Sequence, residues 1–294
     1  MTAELRAEGL TRTFRAPSGD VHAVAGVDVE VHAGELLVVR GASGAGKTTL
    51  LNMLGTLDRP TSGRLWIGDA EATELGEDEL ARLRRERFGF VFQSFGLVPV
   101  LSAAENVEVP LRIAGTDPAE RDRRVAEALA VVGLTAQAPQ RPGEMSGGQQ
   151  QRVGIARAIV AAPRIVIADE PTGQLDSRTA ATIMDLLVEL TRTQGIAAIV
   201  ATHDPLLVAR ADRVLELHGG RVTGTFSHED IVRTEPEAVR EAAAVEADVA
   251  AAPGAAGAGG AAPGAAAGAA PGGAAPGGAA PLTRAEARAL RAQD

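Results

Sequence analysis

From Gly41 to Thr48 the chain reads Gly-Ala-Ser-Gly-Ala-Gly-Lys-Thr, a glycine-rich turn that ends in an amine and a hydroxyl. Glycines let successive backbone N–H groups turn inward as a nest for an anion. A helix opening directly after the turn adds partial positive charge. Lys47 supplies a point charge for the β- and γ-phosphates of a nucleotide. The Thr48 hydroxyl can take one place in the oxygen octahedron that Mg²⁺ prefers. The candidate nucleotide contacts here are Gly41, Ser43, Gly44, Ala45, Gly46, Lys47, Thr48 and Thr49. The acids that such a loop needs stand at Asp169-Glu170, at the end of the apolar run 165–168. Asp169 is placed to hold Mg²⁺ through water. Glu170 is the candidate general base, a role that typically contributes about 10²–10⁴ in rate.

Three further groups complete the set. Ser146-Gly147-Gly148-Gln149 offers a hydroxyl and two glycines at the start of a helix expected from Gln149 to about Val160. Exposed N–H groups there make a second anion site. His203 follows the apolar run 196–201, and a neutral imidazole can donate to a γ-phosphate oxygen and sense its loss. Gln93 follows the apolar Phe90-Val91-Phe92.

In this order the motifs resemble those of the ATP-binding subunit of ABC transporters, and more narrowly of subunits that drive macrolide-type exporters and lipoprotein release. The resemblance covers about residues 4–228, with further echoes at 57–63, 105–107 and 169–176. It implies an α/β P-loop NTPase with a parallel-sheet core, an N-terminal antiparallel β subdomain and an inserted α-helical subdomain at about 94–163. It implies ATP and Mg²⁺ as cofactors, and a homodimer in which Ser146, Gly147, Gly148 and Gln149 face the ATP of the opposite subunit. Asp176 then lies on the loop that crosses the dimer interface. Gln93 reaches the Mg²⁺ and the attacking water, and residues 93–99 resemble the stretch that faces a membrane partner. Phe14 stands where a tyrosine usually stacks on adenine; the chain has no tyrosine. Other departures are Ala42 for the common proline, Met145 for leucine and Gln174 for alanine or asparagine. None removes a group that the chemistry needs.

The function so implied is ATP hydrolysis that powers an integral membrane permease on a separate chain, through ATP-driven dimerisation. Lipoproteins, peptides or drug-like molecules are the expected cargo. A competing reading uses the same power stroke to regulate a membrane partner and cell-wall hydrolases without moving cargo. A soluble ABC ATPase acting on ribosomes or DNA is disfavoured, because the chain shows one set of motifs and no long heptad run.

Such residues need a scaffold. Residues 21–31 alternate as a strand at a sheet face. The runs 36–39, 165–168 and 196–201 read as buried strands, and residues 48–54 as a helix. Apolar strands alternating with helices indicate a parallel sheet covered on both faces. Residues 92–163 read as mostly helical. Residues 1–235 form the expected ATP-binding domain. Residues 236–281 are read as a disordered linker rich in Ala, Gly and Pro, whose proline and glycine each oppose helix. Residues 282–294 can form a short helix.

Composition narrows the setting. The chain has 294 residues, a formal net charge of −9 and no cysteine. An acidic balance disfavours a nucleic-acid partner. The lack of cysteine excludes disulfides and thiolate metal sites. No signal peptide is expected in residues 1–10, and no run of about 18 apolar residues suggests a membrane helix. The expected location is cytoplasmic, peripheral on the inner face of the cell membrane.

Overall fold

The computed structural model describes residues 3–244 except Ser18, Glu235, Ala238, Glu241 and Ala242. The first half of the chain runs β1 (Leu5–Ala16), β2 (Gly19–Val31), β3 (Leu36–Arg40), α1 (Lys47–Leu54), β4 (Ser62–Ile67), β5 (Ala70–Glu71), α2 (Glu77–Arg87) and β6 (Phe88–Val91). Then follow α3 (Ala103–Ile113), α4 (Pro118–Val131), α5 (Gly147–Ile159), β7 (Ile165–Asp169), α6 (Ser177–Gln194), β8 (Ala197–Ala201), α7 (Pro205–Val208), β9 (Arg213–His218), β10 (Arg221–Ser227) and α8 (His228–Thr234).

Six strands make one sheet in the order β10-β9-β3-β8-β7-β6. All pairs from β9 to β6 are parallel, and β10 pairs with β9 antiparallel. Both faces are covered, which is why these strands read as unbroken apolar runs. Successive side chains point to opposite faces, so each strand feeds two cores. Leu36, Val38, Val166, Ala168, Ala198 and Val200 join the core with α3, α4, α5 and α6. Leu37, Val39, Ile165, Ile167, Ala197 and Ile199 join the core with α1 and the second sheet. Each fully buried Leu or Ile contributes roughly 1.5–3 kcal/mol. The second sheet is antiparallel, in the order β2-β1-β4-β5. The N-terminal antiparallel layer, the parallel core and the helical stretch therefore stand as expected.

Glycines open α1 and α2, and side-chain caps open the helices that follow to α6. Ser102 and Glu105 form a capping box at α3, and Asp117 caps α4 with Pro118 next to it. Ser146 and Gln149 form the same box at α5, which draws both glycines into its first turn. The helix thus begins two residues before the expected Gln149. Pro171 opens no helix; the chain turns through 171–176, and α6 starts only after Asp176 caps it. Strand β6 ends at Val91, which leaves Phe92 exposed rather than in the strand. Helical backbone occurs at residues 236–237, 239–240 and 243–244, inside the stretch read as linker. The rest of that linker and the short helix at 282–294 lie outside the described residues.

Candidate functional site

The parallel order β3-β8-β7-β6 sets four carboxyl ends side by side. The Gly41–Thr48 loop leaves β3, His203 follows β8, Asp169 ends β7, and Gln93 lies just beyond β6. The carboxyl edge of such a sheet is where ligands bind. Together these residues line a cleft of about 700 Å³ with Val21, His22, Ala23, Gly219 and Gly220.

The loop owes its shape to two close approaches. Gly46 holds φ at +100°, and a Cβ there would sit 2.1 Å from the Ala23 carbonyl oxygen. At Gly41 a Cβ would sit 2.3 Å from the Leu217 carbonyl oxygen. The main chain of Gly220 locks the loop from outside: its N–H donates to the Ala45 carbonyl at 2.9 Å, and its carbonyl accepts from Ala25 N–H at 2.8 Å. No acid stands within the first turn of α1; the acids that meet its positive end, Asp169 and Glu170, come from the end of β7.

Charges alternate across the cleft. Lys47 Nζ donates to the Gly41 carbonyl at 2.8 Å and lies 3.6 Å from Glu170 Oε1. The other Glu170 oxygen lies 3.1 Å from His203 Nδ1. The Thr48 hydroxyl donates to Asp169 Oδ2 at 2.8 Å. Asp169 Oδ1 is buried with no hydrogen-bond partner. A buried carboxylate oxygen left unpaired, next to a threonine hydroxyl, is a donor set that suits a hard divalent cation such as Mg²⁺. Gln93 shares this end of the cleft, and a Cβ on Gly173 would lie 3.4 Å from its Nε2.

Two sets of expected residues lie elsewhere. Phe14 is 41% exposed and pairs with cleft-lining Val21 across the β1–β2 ladder, so it stands beside the cleft rather than in its wall. Arg12 covers one face of its ring, with the guanidinium 4.6 Å from the centroid. Ser146, Gly147, Gly148, Gln149 and Asp176 do not line this cleft. They gather where α5 meets α6. Ser146 N–H donates to Gln149 Oε1 at 2.9 Å, and the Thr179 hydroxyl donates to Asp176 at 2.7 Å. A Cβ on Gly148 would meet Thr179 Cγ2 at 2.3 Å. Hydrogen bonds from Thr179, side chain first, hold the Asp176 carboxyl below the usual aspartate range. The Ser146–Gln149 group is thus no part of the wall of the cleft that holds Lys47 and Asp169.

Sequence reasoning missed Val21, His22, Ala23, Gly219 and Gly220. The Gly-Gly pair between two short strands signals a hairpin, yet nothing in it says that the hairpin braces a phosphate loop.

The model of the ABC transporter family matches residues 24–173. The chain belongs to the ABC transporter family. It is 48% identical over 229 residues to the pyoverdine export ATP-binding/permease protein PvdT of Pseudomonas syringae pv. tomato, a match over 78% of this chain and 34% of the relative. To the macrolide export ATP-binding/permease protein MacB of Burkholderia pseudomallei it is 46% identical over 231 residues, 78% of this chain and 35% of the relative. The chain therefore spans about a third of the length of these curated relatives. Among solved structures, the dimeric ATP-binding cassette MJ0796, in a post-hydrolysis state with ADP and Pi, aligns with a TM-score of 0.72 at 38% identity, over 76% of this chain and 98% of that one. The protein is an ATP-binding cassette of the ABC transporter family, with ATPase activity.

Proposed function

We propose that this cassette powers an export-type permease carried on a separate chain, through dimers that close on two ATP molecules. The observation that carries the catalytic part is the Thr48–Asp169 contact with the unpaired Asp169 Oδ1, set between Lys47 and Glu170. Thr48, Asp169 and Gln93 would hold Mg²⁺, which when bound offsets phosphate charge. Lys47 and the loop N–H groups orient the phosphates. Glu170 accepts the proton of the attacking water, and His203 donates to the γ-phosphate.

Dimerisation is supported by the placing of the second anion edge outside the first cleft. The Ser146 hydroxyl and the Gly147 and Gly148 N–H groups reach phosphate only if another copy supplies it. Closure then adds preorganised donors and excludes water. It also ties hydrolysis to the opening and closing of the pair. The dimeric MJ0796 cassette and the permease names of the relatives support the same reading. Phe92, Val98 and Val100 are exposed apolar side chains on and beside the 93–99 stretch, a surface suited to the permease. No helix among the described residues is long and apolar enough to cross a membrane. We place the cassette on the inner face of the cell membrane, bound to its permease.

The test mixes two variants. Ser146→Arg blocks the second anion edge, and Glu170→Gln removes the base. Mixed, they should form an ATP-dependent dimer with one competent site and regain part of the hydrolysis that each lacks alone. If the mixture never dimerises with ATP and regains nothing, the two-copy site is wrong. Mass spectrometry of what co-purifies from native membranes with Glu170→Gln and ATP then identifies the permease; recovery of no membrane protein would sink the transport reading.

A further inference from the structure

Arg157 lies near the end of α5, the helix that Ser146 caps. Its guanidinium donates to two main-chain oxygens: Nη1 to Gly96 at 2.5 Å and Nη2 to Phe95 at 2.9 Å. Both acceptors sit in left-handed backbone, Phe95 at φ +61° and Gly96 at φ +60°. For a residue with a side chain that conformation is strained and persists only where its surroundings impose it. Burial lowers the pKa of Arg157 from the ordinary guanidinium value, so this charge has given up water to make the contact.

The face of α5 is shaped for the same loop. A Cβ on Gly147 would lie 3.6 Å from the Phe95 ring, and one on Gly154 would lie 3.4 Å from the Phe95 carbonyl oxygen. Positions 147, 154 and 157 fall on one helical face. At Gly96 a Cβ would meet the Phe92 ring at 3.1 Å and Arg157 Nη2 at 3.3 Å, so the loop is gripped between ring and guanidinium. Phe92 in turn stacks on Phe90, and Phe90 on buried Phe88, with centroids 6.2 and 5.7 Å apart. Gln93 leaves this grip directly.

We propose that Arg157 is a positioning residue for ATP hydrolysis, binding the backbone just after Gln93 to the helix whose N-terminus is Ser146. The proposal rests on the reading of Gln93 given above. A cassette that moves α5 to meet a partner's phosphate then moves Gln93 with it. Arg157 touches no nucleotide; its effect passes through the loop. A planar two-pronged donor is required, because lysine keeps the charge but not the fork.

The test uses the full chain with Arg157→Lys, Gln93→Ala and the double variant. Arg157→Lys should lower kcat by up to about 100-fold, the scale of a misplaced group, with the KM for ATP changed by no more than about twofold. The double variant should be no slower than Gln93→Ala, because coupled residues are not additive. A second readout does not depend on turnover. The chain has no cysteine, so Ser94→Cys gives a unique nitroxide site, and its spectrum should show faster motion once Arg157→Lys is added. Equal mobility at position 94, or losses that multiply in the double variant, would overturn the proposal. If Gln93→Ala leaves kcat unchanged, the reading of Gln93 fails and takes this proposal with it. If Gln93→Ala is slow and Arg157→Lys is normal, only the proposal fails.

Discussion

Glu170 Oε2 lies 3.1 Å from His203 Nδ1, and the glutamate that makes this contact holds its backbone at φ +45°. That left-handed turn is fixed from both sides: Glu170 N–H donates to the Ala201 carbonyl at 2.9 Å, and its own carbonyl accepts from Gly173 N–H at 3.1 Å. Strands β7 and β8 thus set the angle of the candidate base, and the base in turn is the histidine's anchor. The histidine side chain is 77% exposed, whereas that of Glu170 is only 15% exposed.

Glu170→Gln keeps the shape but loses the proton acceptor. Hydrolysis should fall by about 10²–10⁴, while ATP binding persists. His203→Ala should cost less, because the imidazole orients rather than accepts the proton. Phosphate release and equilibrium nucleotide binding, measured on the same samples, separate the two effects. Glu170→Gln protein that hydrolyses ATP at the normal rate would remove Glu170 from the chemistry.

Thr48→Val tests the cation site. Valine matches threonine in shape but cannot donate to Asp169 or take a metal place. The Mg²⁺ concentration for half-maximal hydrolysis should rise roughly 10–100-fold, as for the loss of a group that orients a metal ligand. Excess chelator should abolish hydrolysis in both proteins. A Mg²⁺ titration that is the same for Thr48→Val and the parent chain would contradict the assignment.

Most of this site was legible because its residues sit at the ends of strands whose apolar runs announce them. Leu36 to Val39 and Ile165 to Ala168 face two cores, so they lack polar interruptions, and the first polar residues after them mark the sheet edge. Asp169 is such a first residue, while the glycine loop follows one residue later, after Arg40, and His203 follows Thr202. Contacts made by main chain were not legible. Gly220 braces Ala45 through its backbone, and Arg157 grips two carbonyls; neither leaves a spacing rule in the sequence. The start of α5 was misjudged for a related reason. Gly147 and Gly148 disfavour helix by propensity, and the Ser146–Gln149 capping box overrides that preference.

Phe14, the candidate platform for adenine, has one ring face already occupied. Arg12 stacks on it and pairs with Asp58 at 2.8 Å, which holds the guanidinium in place. A base stacked on Phe14 would have to take the other face. Stacking of a base on an aromatic ring contributes about 1–3 kcal/mol. Phe14→Ala should therefore weaken ATP binding roughly tenfold or more, and Phe14→Tyr should bind as the parent does. Fluorescent-nucleotide displacement reads both. Unchanged affinity in Phe14→Ala would make Phe14 a surface aromatic that serves only Arg12.

Glu108 on α3 is 8% exposed and meets Arg112 at 2.7 Å and Arg121 of α4. The hydrogen bond from Arg112, helped by the charges of both arginines, holds its carboxyl below the ordinary glutamate value of 4.5 although burial acts the other way. The folded form then binds fewer protons than the unfolded chain in that range. The stabilisation is therefore present above the unfolded value and is lost as pH falls through the folded one. Glu108→Gln should lower stability at pH 7 by on the order of 1–3 kcal/mol, a fall in Tm of roughly 2–10 °C. The gap between variant and parent should narrow as the pH drops below 4.5. Thermal unfolding followed by circular dichroism across that range decides the matter. A gap that stays constant into acid would mean that Glu108 joins α3 to α4 by shape and hydrogen bonding alone, with no contribution from its charge.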